Sequence, residues 1–101
     1  MTRPNILILM VDQLNGTLFP DGPADFIHAP HLRALAQRSA RFANTYTASP
    51  LCAPARASLM SGQLPSRTRV YDNAAEFASD IPTYAHHLRR AGYYTCLFCL
   101  T

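Results

Sequence analysis

The sequence predicts an α/β protein, specifically the N-terminal portion of a mostly parallel sheet flanked by helices. A continuous apolar run at residues 6–11 is typical of a strand buried on both faces. Strand-like and helix-like segments then follow in the order strand, helix, strand, helix, helix, strand. Three strands bury both faces of such a sheet poorly, and 101 residues hold one domain at most. We therefore expect residues 1–101 to be the incomplete opening of a larger domain.

The first half of the chain is predicted to contain two strands, one helix and a long loop. The strand at residues 6–11 is followed by the turn-rich residues 13–30, which we expect to form a surface loop. Apolar residues at helical spacing predict a helix over about residues 30–39. Alternating aromatic and polar side chains predict a second strand over residues 41–47.

The second half is predicted to contain two helices and a third strand. A helix is expected to begin at Pro54 and to end at Gly62, since proline suits the first helical position and glycine the residue after the last. Residues 63–80 show little periodicity and are predicted to be a loop. A further helix is predicted over residues 82–91, followed by an apolar strand over residues 93–100.

Composition excludes several classes of function. The net charge of +3 comes from scattered arginines without a basic run, so no nucleic-acid partner is expected. The N-terminal apolar run is too short for a signal peptide or a membrane span. Three cysteines are an odd number and favour a reducing, cytoplasmic location. The pair Cys96 and Cys99 is predicted to fill the core, and His86 and His87 point to different faces of one helix.

Asp12 is the first candidate for a metal ligand. It follows the first predicted strand directly, and ligands of open α/β sheets bind beyond the carboxyl ends of the strands. A carboxylate at that place is well suited to hold a cation. The alternative is an ordinary turn aspartate at the beginning of a loop.

Cys52 and Arg56 are candidates for an anion-binding site. A helix that begins at Pro54 would place Cys52 near unpaired backbone N–H groups and the positive end of the helix dipole. Arg56 lies one turn further and could clamp the same anion. A thiolate nucleophile is one interpretation, but cysteine phosphatases have the spacing C-x5-R, and Ser58 stands at that distance. A buried structural cysteine ahead of an ordinary helix is the other.

The motif around Cys52 resembles a known family. The residues "PLCAPARASLMSG" at 50–62 are similar to the first signature of type I sulfatases, which begins C-x-P-x-R. Ser61 stands where that family more often has threonine. Asp12 and the residues "GYYT" at 92–95 fall where sulfatases have their first metal ligand and the start of their second signature.

The resemblance implies a sulfuric ester hydrolase of the alkaline-phosphatase-like superfamily. In that family a formylglycine-generating enzyme oxidises the cysteine, here Cys52, to formylglycine, whose hydrated aldehyde attacks sulfur beside a divalent cation, Ca²⁺ or Mn²⁺. Asp12 and the modified Cys52 then resemble metal ligands, and Arg56 the stabiliser of residue 52. Asn73, in "VYDN", resembles a polar contact to the sulfate or its nucleophile. The sequence resemblance of residues 47–68 and 70–77 implies that the substrate is a small sulfate ester such as choline sulfate. An oligomer is possible.

Departures from the family pattern limit what is expected of this chain. The glycine, lysine and histidine that continue the second signature do not follow Thr95, and Arg69 stands where glycine is more usual. We expect residues 1–101 to be an N-terminal fragment of a sulfatase catalytic domain that is inactive alone. The alternatives are a phosphonate or phosphate monoester hydrolase of the same superfamily and a non-catalytic remnant.

Overall fold

The computed structural model describes residues 3–19 and 22–98. The chain forms two compact units, Met1–Thr45 and Tyr46–Thr101. The first unit contains a short 3-10 helix, Gly16–Leu18, and α1, Pro30–Gln37. The second unit contains α2, Cys52–Ser61, α3, Pro65–Thr68, and α4, Tyr84–Arg90. No helix within the described ranges is long and apolar enough to cross a membrane.

None of the three predicted strands is formed by the described residues. The side chains of residues 6–11 are between 54% and 80% exposed, so their predicted burial is wrong in this structure. Residues 41–47 and 93–98 have no strand either, and the end of the third predicted strand lies outside the described residues. A strand is stabilised by hydrogen bonds to neighbouring strands, and residues 3–19 and 22–98 supply no such neighbour. The predicted sheet is therefore not confirmed.

Helix α1 confirms the prediction for residues 30–39. It begins at Pro30, whose fixed φ suits the first turn, and ends at Gln37. The loop before it holds the 3-10 helix, where the Asn15 Oδ1 accepts a hydrogen bond from the Thr17 N–H at 3.0 Å. Gly22, at φ 109°, brings this loop against the helix, since an added Cβ would lie 3.5 Å from the Ala36 Cβ.

The core of the second unit surrounds α2. Helix α2 contacts both α3 and α4. Its Pro54 and Ala57 are buried together with Thr68, Val70 and Thr83. This core is small, but it holds the first turn of α2 in place, because Pro54 is among the most completely buried side chains of the described residues.

The ends of these helices follow local signals. Helix α2 ends at Ser61, and Gly62 is its C-cap residue, as predicted, with φ 70°. Helix α3 lies in the region predicted as a loop and ends at Thr68, and its C-cap residue Arg69 has φ 60°. Helix α4 confirms the helix predicted over residues 82–91, and its first turn is capped by a side chain. The His86 Nδ1 accepts a hydrogen bond from the Thr83 N–H at 3.1 Å and lies 2.8 Å from the Thr83 Oγ1.

Cys96 and Cys99 were predicted to fill the core. Cys96 is exposed, so its predicted role as core filler is wrong in this structure. A side chain fills a core only where other elements cover it, and residues 93–98 form no regular element. Cys99, its predicted companion, lies outside the described residues.

Candidate functional site at the start of helix α2

Cys52 is the first residue of α2, whereas the sequence predicted that the helix begins at Pro54. Leu51 is the extended N-cap residue, and its carbonyl accepts the first helical hydrogen bond from the Ala55 N–H at 3.0 Å. Pro54 is therefore the third helical residue. Proline is tolerated there because no N–H of the first turn has a partner within the helix. The proline signal located the first turn correctly, but not its first residue.

The first turn of α2 has four positions whose N–H groups have no partner within the helix. The Leu51 N–H donates to the Ser49 Oγ at 3.3 Å, and the Ala53 N–H donates to the Asn73 Oδ1 at 3.0 Å. Pro54 has no N–H. Within residues 3–19 and 22–98, this leaves the Cys52 N–H as the first-turn donor without an acceptor. The sequence had suggested several unpaired donors at this end, and the structure corrects that number to one.

Asn73 reaches the helix from a turn that Asp72 builds. The Asp72 Oδ1 accepts hydrogen bonds from the N–H groups of Ala74 and Ala75, at 2.9 and 2.8 Å. This is the Asx-type arrangement in which an aspartate closes its own turn. The turn presents Asn73 to Ala53, which lies 20 residues earlier in the chain. Asn73 thus binds the backbone of Ala53, the neighbour of residue 52, and the contact to a sulfate or its nucleophile that the resemblance implied stays a prediction.

The two halves of the Asn73 amide have different roles. A backbone N–H can only donate, so the amide atom that faces Ala53 must be the carbonyl oxygen. The remaining NH₂ group is then a donor only. It can bind the oxygens of an anion, but it cannot accept a proton from a donor.

Arg56 adds a positive charge to the same end of α2. It lies four residues after Cys52 and therefore one turn further on the same side of the helix. The Arg56 side chain is exposed, and the Cys52 thiol is free and exposed as well. The structure thus brings together Cys52, Arg56 and Asn73. Backbone N–H groups at a helix start and an arginine one turn further are features that suit a tetrahedral anion.

Asp12, the predicted metal ligand, belongs to the first unit. It stands in a turn, and the next residue, Gln13, has φ 51°. Among the described residues, no three Asp, Glu, His or Cys side chains form a group that could hold a cation. Calcium takes six to eight oxygen ligands. The residues described here do not complete such a site, and we derive no chemical step through a metal.

Comparison with known proteins identifies the family. The sulfatase family profile matches residues 4–99. The chain belongs to the sulfatase family. Membership implies the α/β, alkaline-phosphatase-like fold of these proteins. The resemblance of the sequence to sulfatases is thereby confirmed.

Individual sulfatases match over nearly the whole chain. The choline-sulfatase of Rhizobium meliloti (strain 1021) is 83% identical over 95 residues, which are 94% of this chain and 19% of that protein. An arylsulfatase of Clostridium perfringens is 36% identical over 92% of this chain and 20% of its own length. Arylsulfatase K of Danio rerio is 32% identical over 92% of this chain and 18% of its own length. The chain thus spans about a fifth of the length of these sulfatases.

Two residues of the site were missed by the sequence analysis. Ser49 and Asp72 both accept hydrogen bonds from backbone N–H groups that lie two residues later in the chain. The signal for both was present, since serine and aspartate commonly bind the backbone two residues ahead. Neither residue belongs to a motif that indicates contact with a substrate, because both bind the backbone.

Proposed function

We propose that this sulfatase chain carries part of the active site of a sulfuric ester hydrolase that acts on a small sulfate ester such as choline sulfate. The observation that supports this best is the meeting of Cys52, Arg56 and Asn73 at the start of α2. The high identity to a protein named choline-sulfatase supports the choice of substrate. We keep the proposal that residues 1–101 form the N-terminal part of the catalytic domain and contribute to a mostly parallel sheet flanked by helices.

Cys52 is proposed as the precursor of formylglycine, made by a formylglycine-generating enzyme. Once hydrated, an aldehyde at this position supplies one oxygen to attack sulfur and a second from which the carbonyl re-forms when sulfate leaves. The thiol is exposed and unpaired, so no disulfide has to be broken first. Asp12 is proposed to give one carboxylate to a Ca²⁺ or Mn²⁺ site that further residues complete, and the modified Cys52 is proposed as a further ligand of that cation. The location proposed is the cytoplasm.

The residues around position 52 are proposed to bind the sulfate group. The terminal oxygens of a sulfate ester accept hydrogen bonds and share a negative charge. We assign this binding to the Cys52 N–H, the Asn73 NH₂ group and the Arg56 guanidinium, which belong to the start of α2 and to the turn that contacts it. Arginine suits this role because its planar fork can bind two oxygens at once. Together they hold the ester against residue 52 and stabilise charge that develops on its oxygens.

The first test is the mass of the Cys52 peptide after co-expression with a formylglycine-generating enzyme. Conversion of the thiol to an aldehyde lowers the mass by about 18 Da. The peptide that contains Cys96 serves as an internal control, and an Arg56→Ala variant removes the arginine of the recognition motif. We expect the loss at Cys52 alone, and only with Arg56 present. An unchanged Cys52 peptide in the wild-type chain would contradict the proposal.

The second test asks for activity in a complete protein. The residues of this chain replace the 95 aligned residues of the Rhizobium meliloti choline-sulfatase, and the chimaera is assayed with choline sulfate and with phosphorylcholine. We expect hydrolysis of choline sulfate that depends on Cys52. Faster hydrolysis of phosphorylcholine would instead support the alternative of a phosphate monoester hydrolase, because both anions present tetrahedral acceptor oxygens to the same donors.

A further inference from the structure

We infer that Asp72 and Asn73 form a clamp that fixes the first turn of α2, and that Asp72 is a positioning residue for the group at position 52. We call these two residues the 72–73 clamp. Its effect on catalysis rests on the proposed function, but its geometry does not. The NH₂ group of Asn73 is proposed to bind the substrate. In the clamp, the Asn73 Oδ1 and the preceding residue, Asp72, have a separate, structural role.

The clamp ties the first turn of α2 to a distant part of the chain. The bond from the Ser49 Oγ to the Leu51 N–H spans two residues and can form in the absence of any tertiary structure. The bond from the Asn73 Oδ1 to the Ala53 N–H spans 20 residues. Such a bond forms only when the turn at residues 72–75 is in place. The orientation of residue 52, next to Ala53, therefore depends on that turn.

Asp72 makes this turn rigid. Asp72 and Asn73 are both exposed, so packing does not hold them. Two hydrogen bonds to the Asp72 Oδ1, at 2.9 and 2.8 Å, hold the backbone of Ala74 and Ala75 instead. Without them the loop would lose little contact area but would gain conformational freedom, and the placing of Asn73 would become less favourable. Asp72 thus acts on residue 52 through Asn73 and through Ala53.

The clamp also fixes which side of the Asn73 amide is offered to a ligand. Rotation of the amide by half a turn would place its NH₂ group against the Ala53 N–H, and two donors repel. The hydrogen bond to Ala53 therefore keeps the NH₂ group available for an acceptor. This coupling predicts that an aspartate at position 73 separates the two roles, since it keeps the oxygen and lacks the donor.

Hydrogen exchange of the Ala53 N–H tests the clamp directly. In the ¹⁵N-labelled chain, Asp72→Ala and Asn73→Ala are expected to raise its exchange rate about tenfold, as for loss of a helix cap. Asp72→Asn and Asn73→Asp keep the accepting oxygen and are expected to stay near the wild-type rate. The Gly62 N–H, at the other end of the same helix, reports whether α2 remains folded. Asn15→Ala is the matched control, because it removes a cap in the first unit.

Kinetics of the chimaera described above test the consequence for catalysis. Asp72→Ala is expected to lower kcat about tenfold at unchanged formylglycine content, since small displacements of a reacting group are costly. Asp72→Asn is expected to restore kcat, whereas a residue that acted only through its charge would not be rescued by asparagine. Asn73→Asp is expected to keep slow exchange at Ala53 but to raise KM, because a carboxylate repels the sulfate.

The outcomes separate the clamp from the proposed function. If the wild-type chimaera is inactive, the proposed function fails, and the exchange rate of Ala53 still decides on the clamp. If Asp72→Ala and Asn73→Ala both leave the exchange rate unchanged, the clamp is wrong, whatever the activity. Equal kcat for the wild-type chimaera and Asp72→Ala would overturn the positioning role of Asp72 alone.

Discussion

The hydroxyl of Ser61 donates a hydrogen bond to the carbonyl of Ala57, 2.6 Å away, in the last turn of α2. The Ser61 hydroxyl oxygen also accepts a hydrogen bond from the Gln63 N–H at 3.2 Å. Ser61 therefore holds the end of the helix on both sides. Threonine, which the sulfatase signature more often has at this place, carries the same hydroxyl group.

This pair of bonds predicts the effect of substitutions at position 61. Ser61→Thr is expected to change the free energy of unfolding by less than about 0.5 kcal/mol, whereas Ser61→Ala should lower it by about 1 kcal/mol through the lost hydrogen bonds. Urea unfolding followed by circular dichroism measures both. Equal stability of the alanine and threonine variants would show that the hydroxyl contributes nothing.

Arg69 predicts a stabilising substitution. Its φ of 60° lies in the left-handed region, which costs a residue with a Cβ about 1 kcal/mol. Arg69→Gly is therefore expected to raise the free energy of unfolding by up to about 1 kcal/mol, even though glycine makes the unfolded chain more flexible. Arg67→Gly, two residues earlier within α3, is the control and should be destabilising by a similar amount. A loss of stability in Arg69→Gly would show that the left-handed backbone of Arg69 is not strained.

Gly62 offers the opposite comparison. It has φ 70°, and an added Cβ would meet no atom within 4 Å. The cost of Gly62→Ala is thus expected to be conformational alone, about 1 kcal/mol of unfolding free energy. Gly16→Ala is matched to it, because its Cβ also has open space but its φ is not left-handed. That control should be neutral or slightly stabilising. Thermal unfolding of both variants checks the difference, and equal losses would refute it.

The cap of α4 depends on His86. Thr83 is only 5% exposed, and its N–H donates to the His86 Nδ1. His86→Ala is expected to lower the free energy of unfolding by about 1 kcal/mol, since it leaves the N–H of the buried Thr83 without its acceptor. His87→Ala, one residue later and outside this cap, should change it by less than about 0.5 kcal/mol. Urea unfolding of the two variants compares them, and similar losses would mean that the cap is unimportant.

Arg56 gives a prediction for catalysis in the chimaera. Arg56→Lys keeps the positive charge but loses the planar fork that suits two oxygens of a sulfate. We expect kcat/KM for choline sulfate to fall about tenfold, as for loss of one charge-assisted hydrogen bond. The formylglycine content must be measured in parallel, because the arginine also belongs to the motif through which the modifying enzyme is proposed to recognise Cys52. An unchanged kcat/KM at full modification would exclude a bidentate role for Arg56.

The helices could be predicted because their signals are local. Pro30 and Gly62 mark the beginning of α1 and the end of α2 through their own backbone preferences. Helix α3 was missed because its four residues are too few to show a periodicity. The strands are a different case, since the apolar residues 6–11 show only that a strand would suit them. Whether it forms depends on partners elsewhere in the chain.

The site could be predicted only in part for a similar reason. The signature motif located Cys52 and Arg56, because both are within one helical turn of each other. The resemblance also pointed to Asn73, but its bond to Ala53 joins residues 20 positions apart. No local pattern specifies such a contact. Asp72 could have been recognised as a turn residue, but its importance becomes apparent only when the target of that turn is known.

The separation of Ala53 and Asn73 along the chain also sets an interval in time. A ribosome adds about 5–20 residues per second, so Asn73, which is 20 positions after Ala53, is added about 1–4 s later. During that interval the segment around Cys52 is outside the ribosomal exit tunnel, whereas Asn73, whose side chain later binds Ala53, is still inside it. The enzyme proposed to oxidise Cys52 would find an extended peptide most accessible then. Slower codons between the two positions would lengthen the opportunity for the thiol to be converted.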